Sequence, residues 1–277
     1  MPSRWQSRLH AISVIAMRDT RSILFGFGIY IAVALGMAAT AVIVRGHLAA
    51  IASNGQLILS DAFTFPFFVT TTIIMFYLAL TSVATVAREK DLGTLEVLFY
   101  GPVDHVAYIL AKHVAQVLAY LPICLATGGL ILAYSAMTGL RLEPIFPLQM
   151  LLSIATMAAV TAFGIFLSTL TRGVRGAFAL FGVTALAFLT IHLGADALTG
   201  VPLTNNYSPL LFLRDAMIAL DAVISYISPF AVFQLGVDAL VRGDGLNYLG
   251  MLALSLVHCG ALLSAAVAML RRRGVRR

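Results

Sequence analysis

The sequence predicts an all-α polytopic membrane protein with six transmembrane helices and both termini on the cytosolic side. Composition is the first observation behind this. Of 277 residues 60% are hydrophobic and 11% charged, with a mean hydropathy of +0.96, whereas soluble domains carry about 25% charged residues. The second is length. The segments Ile23–Val44, Phe65–Ala87, Val106–Tyr134, Leu148–Thr171, Ala177–Leu198 and Leu246–Leu270 each reach across about 30 Å of hydrocarbon at about 1.5 Å per residue. The third is charge placement. With the N-terminus inside, only Arg45, Arg141, Arg214 and Arg242 of the 18 basic residues fall outside, as the positive-inside rule requires. The net charge of +6 is thereby explained by topology, and no aromatic-basic surface for stacking nucleic acid bases accompanies it.

Taken in order, residues 1–22 place Trp5, Leu9, Ile12, Ile15 and Ala16 at helical spacing against Arg4, Arg8, Arg18 and Asp19, the pattern of a helix lying in the headgroup plane. The first span (23–44) begins too late and runs too long for a cleaved signal peptide. Arg45–Thr64 reads as an external connection with a turn at Ser53-Asn54-Gly55. The second span (65–87) and its flank are rich in hydroxyls, among them Thr70, Thr71, Thr72, Thr81, Ser82 and Thr85. They suit close helix packing and could equally line a polar path. In the third span (106–134) Pro122 predicts a kink near Leu118–Tyr120, and Gly128-Gly129 adds local weakness, so these three are hinge candidates.

The fourth and fifth spans (148–171 and 177–198) are joined by a tight inner turn, Arg172–Gly176. Between the fifth span and the sixth (246–270), residues 199–245 form neither a short loop nor a soluble domain. Leu210–Ile227 is apolar but interrupted by Arg214, Asp215 and Asp221, costly in lipid unless satisfied. It reads as a helix lying in or re-entering the outer interface. Cys124 and Cys259 fall at depths about 8–14 Å apart, too far for a disulfide.

Residues 88–105 form the inner loop after the second span, opening on Arg88-Glu89-Lys90-Asp91. Gly93 can break the incoming helix. Leu92, Leu95 and Leu98/Phe99 recur as on one face of a short helix, and Gly101 with Pro102 allows a turn into the next helix. Such a charged loop is built to be read by something in the water.

The order Arg88-Glu89-Lys90, Gly93-Thr94-Leu95-Glu96-Val97-Leu98 and then Pro102 resembles the cytosolic loop of permease subunits of ABC-2 type ABC transporters. Phe99-Tyr100-Gly101 departs from that pattern, where small polar residues are commoner. The resemblance implies a single permease domain over 1–277 with the ABC-2 (type V exporter-like) fold, its 88–105 loop being a coupling helix that docks on an ATP-binding subunit. It implies ATPase contacts at Glu89 and Glu96, an apolar groove receiving Leu95 and Leu98, a bend at Gly93, and motif positions at Thr94 and Pro102. It further implies two ATPase copies holding ATP and Mg, a second permease chain, identical or related, and export across a bacterial-type cytoplasmic membrane. Residues 228–244 and the last span loosely resemble the re-entrant C-terminal part of that family.

Nothing in the chain serves ATP itself. A Walker A loop needs a lysine after a glycine, and neither Lys90 nor Lys112 follows one. A non-transporting anchor or force-transmitting subunit would use the same loop. An intramembrane enzyme would centre on His192 and Asp196, which share a helix face and could bind a metal or relay a proton, or simply form an outer-end capping pair. His105, His113 and His258 lack metal-ligand spacing.

Overall fold

The computed structural model describes residues 4–54, 62–100, 103–199 and 209–272, and among these every regular element is an α-helix. In chain order they are α1 (Arg4–Leu24), α2 (Phe27–Asn54), α3 (Thr64–Asp91), α4 (Thr94–Tyr100), α5 (His105–Thr138), α6 (Phe146–Leu170), α7 (Val174–Thr199), α8 (Pro209–Ile227), α9 (Pro229–Val241) and α10 (Gly245–Arg272). Six of them, α2, α3, α5, α6, α7 and α10, are long and apolar enough to cross a membrane. The pair α8 and α9 is bent by 92° at Pro229, which suits a first helical turn because its missing N–H would have no partner there. α8 covers the apolar stretch Leu210–Ile227 that carries Arg214, Asp215 and Asp221.

The helix boundaries depart from the expected spans, most of all around α2. Residues 45–54, expected as a loop, continue α2 to Asn54. Three alanines, a leucine and an isoleucine in this stretch keep helix propensity high past the apolar limit. Asn54 ends the helix, and Gly55 of the expected turn lies outside the described residues. At the other side α1 runs on to Leu24 before α2 begins at Phe27.

α6 is the most enclosed span and α7 and α10 the least. Two contacts show why α2, α3 and α6 approach so closely. Thr70 of α3 donates to the Gly36 carbonyl at 2.8 Å and meets the Thr40 hydroxyl at 2.6 Å, and a side chain at Gly36 would strike Thr70. Gly164 of α6 faces Ser82 and the α3 backbone at Ala79 and Val83 so closely that a Cβ would overlap them. Thr70 and Ser82 thus serve helix packing, the first of the two roles open to them.

One end of the bundle gathers α1, α4, the start of α5, the α6–α7 turn and the last turns of α10. Leu95, Tyr108 and Leu270 belong to one apolar cluster there, and Thr20 of α1 donates to the Ala115 carbonyl at 3.2 Å. We call this the basic end, for Arg88, Lys90, Lys112, Arg172, Arg271 and their neighbours. At the far end the starts of α3, α6 and α10 meet α9. Phe67 lies edge-on to Phe146 with centroids 5.0 Å apart, Phe68 stacks on Phe233 at 5.2 Å, and Tyr248 donates to the Leu148 carbonyl at 3.0 Å.

α5 passes through Pro122 as one helix. A Cβ at Gly128 would meet the Met150 side chain of α6, whereas Gly129 faces open space. Gly128 is a packing glycine, and the last turn of α5 closes on Gly139 in the left-handed conformation at φ 71°.

Candidate functional site

The charged run at the end of α3 is where sequence and structure part company most instructively. Glu89 accepts from Tyr108 Oη at 2.7 Å and from Lys112 Nζ at 2.5 Å. The same ammonium donates to Asp19 of α1 at 2.7 Å, and Lys112 is 4% exposed. One buried cation thus ties α1, α3 and α5 together through two carboxylates, the arrangement that makes a buried charge tolerable. Arg18 also bonds Asp19, at 2.9 Å. Arg8 meets Asp104 at 2.6 Å, and Asp104 caps the start of α5 by accepting from the Ala107 N–H at 2.8 Å.

Lys90 and Asp91 look the other way, towards the α6–α7 turn. Lys90 Nζ donates to the carbonyls of Ser168 (3.3 Å), Thr169 (2.9 Å) and Thr171 (2.9 Å), satisfying acceptors that a helix C-terminus leaves without partners. Asp91 accepts from the Val174 N–H at 2.8 Å, at the N-terminus of α7 where a negative charge is favoured. The run thus faces the water only in part: Arg88 and Asp91 are exposed, while Glu89 and Lys90 are half-buried. Glu89, Lys90 and Asp91 latch four helices of their own chain, and Arg88 alone of the four is exposed without such a latch.

Gly93 follows at φ 67°, a left-handed value that glycine adopts without strain, and it ends α3 so sharply that α4 starts one residue later. Thr94 Oγ1 donates back to the Glu89 carbonyl at 3.3 Å. Leu95 is 8% exposed and packs with Leu98 and Phe99 into the cluster of α5, α6 and α10. Phe99 stacks on His105 with centroids 4.4 Å apart. The expected apolar stripe exists, but Leu95, Leu98 and Phe99 seat α4 on its own bundle. They are not held out for a partner's groove. The side that α4 and its approach present outward carries Leu92 (66% exposed), Val97 (70%) and Tyr100 (85%). Pro102 and the Glu96 side chain lie outside the described residues.

Between α1, α3, α4 and α5 the basic end opens into a groove of about 790 Å³. Lys112, Glu89, Asp19, Arg88 and Leu98 line it, as does Gln116, which accepts from Thr81 at 3.2 Å. Sequence reasoning missed the Lys112–Asp19 half of this site. The signal was present, since an ionisable residue inside an apolar span demands a partner.

At the far end His192 lies 3.8 Å from Asp196 on the same helix face, as the spacing predicts. Its nearer partner is Asp221 of α8, at 3.0 Å, which no local spacing could reveal. Among the described residues no three His, Cys, Asp or Glu side chains gather as metal ligands. His113 sits between Thr161 (3.2 Å) and the Cys259 thiol (3.4 Å), and Cys124 and Cys259 are both free.

Six membrane-length helices, a bent helix pair at one end and a short helix latched onto the other describe an integral multi-pass membrane protein of the permease kind. The family model of the ABC-2 family transporter protein matches residues 45–274. The chain belongs to that family, as an ABC-2 type permease. A comparison with curated proteins found no match.

Proposed function

We propose that this permease is driven by a separate ATP-binding subunit that docks on the outward side of α4 at the basic end, and that it exports substrate. The observation that carries the reading is the two-sided build of α4. A seven-residue helix is too short to be stable alone. This one is fixed by Leu95, Leu98 and Phe99 inside and flanked by the latches of Glu89, Lys90 and Asp91, while Leu92, Val97 and Tyr100 stand exposed. Exposed apolar residues on a rigid mount suit a docking surface. A push delivered there would pass through Glu89 and Lys112 to α1 and α5. Bending of α5 at Pro122 or Gly129 would then change the pathway, a population shift set by how differently the partner contacts the two states.

The positive-inside rule assigns the basic end to the cytosol, in a bacterial-type cytoplasmic membrane. ATP and Mg belong to the partner, in two copies, and a second permease chain, identical or related, completes the pathway; the chain does no chemistry by itself. The experiment is purification from mild detergent with identification of the co-purifying chain. A Walker-containing subunit is expected with the unaltered protein and is expected to be lost on Val97→Asp or Tyr100→Asp, with the permease still monodisperse. Undiminished recovery with both variants refutes the docking side. Leu95→Asp, buried in the chain's own cluster, disorganises α4 itself and does not make this distinction.

A further inference from the structure

At the far end a second groove, of about 520 Å³, runs between α3, α7, α8 and α9. Its volume is that of a site for a drug-sized molecule. Phe76, Phe163 and Phe181 form a chain of rings with centroids 5.8 and 6.5 Å apart, and Phe68, Phe188 and Phe230 extend it. Asp221 and His192 line the groove, with the neutral polar side chains of Thr72, Ser225, Ser228 and Gln234. Among the described residues no lysine or arginine lines it, and Asp221 is the one carboxylate that does. The Asp221 side chain is 22% exposed and takes one contact from His192 Nδ1 at 3.0 Å. A carboxylate has about four lone-pair sites, so most of its accepting capacity remains.

We propose that this groove binds lipophilic organic cations, molecules whose positive charge is delocalised or shielded by apolar groups. The chemistry selects them on three counts. The faces of aromatic rings are negative and attract a cation that has shed its water. An apolar ligand would strip water from Asp221 and return nothing, whereas a cation restores the lost interaction. An anion meets the carboxylate and the ring faces with the wrong sign. A strongly hydrated cation such as a simple ammonium would lose more solvation than the rings repay, which leaves the weakly hydrated kind.

The test compares tetraphenylphosphonium with tetraphenylborate, two ions alike in shape and opposite in charge. Each is equilibrium-dialysed against the full chain in detergent, with empty micelles as the blank. No nucleotide or ATPase is present, so the result stands apart from the assignment of α4. Saturable binding of the phosphonium is expected at about tenfold or more higher affinity than the borate. Asp221→Asn is expected to erase that preference, Asp221→Glu to keep it, and Phe181→Ala to weaken both ions. Asp215→Asn, which removes an equal charge from an exposed side chain that does not line the groove, is expected to change nothing. Equal binding of the two ions overturns the proposal, and so does a preference that survives Asp221→Asn or disappears in Asp215→Asn. Absence of saturable phosphonium binding also overturns it.

Discussion

Replacing Lys112 by methionine tests the joint between α1 and the rest of the bundle. The side chain is 5% exposed, Glu89 15% and Asp19 19%, so solvent screens the trio little. Removing one partner of a buried ion pair costs about 3–5 kcal/mol, because the remaining charge stays buried without compensation. Here the lower end applies, since Asp19 keeps Arg18 and Glu89 keeps the Tyr108 hydroxyl. About 3 kcal/mol corresponds to a change of more than about 100-fold in an opening equilibrium. The opening to watch is separation of α1 from α5. Thr20, 8% exposed against Ala115, becomes the reporter as Thr20→Cys, in a background with Cys124 and Cys259 replaced by alanine. Its labelling by a water-soluble maleimide is expected to accelerate by about two orders of magnitude in Lys112→Met. Adding Glu89→Gln and Asp19→Asn, which removes the stranded charges, is expected to recover much of the loss. An unchanged labelling rate in Lys112→Met refutes the view that this cation holds α1 in place.

Two further outcomes follow from the packing and the second latch. Gly164→Leu forces a side chain against Ser82 and the α3 backbone, and overpacking of this kind costs about 1–3 kcal/mol; a lowered Tm in detergent is the readout. Lys90→Met strips the donor from the carbonyls of Ser168, Thr169 and Thr171, at about 1–3 kcal/mol for buried acceptors left unpaired, and trypsin is expected to cut faster at Arg172 in the turn these groups secure.

The six spans were legible because an apolar run of that length has few alternatives to crossing a membrane. Their boundaries were less so, since helical hydrogen bonding continues into polar flanks wherever propensity allows, as in residues 45–54. The stripe on α4 was legible in part. Leu95, Leu98 and Phe99 share a face, but Leu92 does not join them, because the positive φ at Gly93 resets the helical phase between 92 and 95. Nor does periodicity say which body a stripe packs on, and here it is the chain's own. The charged run hid its partners for a related reason. Sequence shows that Glu89 and Lys112 are 23 residues apart, whereas only tertiary structure shows that they touch, and Asp221 stayed hidden from His192 in the same way.

The right-angled pair at the far end also bears on the order in which the molecule can assemble. α9 rests on α6, already made, and on α10, which follows it in the chain: Gly236 lies against both Leu152 and Met251. While the ribosome is still producing the last helix, half of the seat for α9 does not exist, and Val232 and Phe233, fully enclosed in the finished protein, lack part of their cover. The C-terminal helix is therefore the closing piece of the fold. A chain interrupted before it would leave α9 seated on α3 and α6 without α10, with its face at Gly236 half covered.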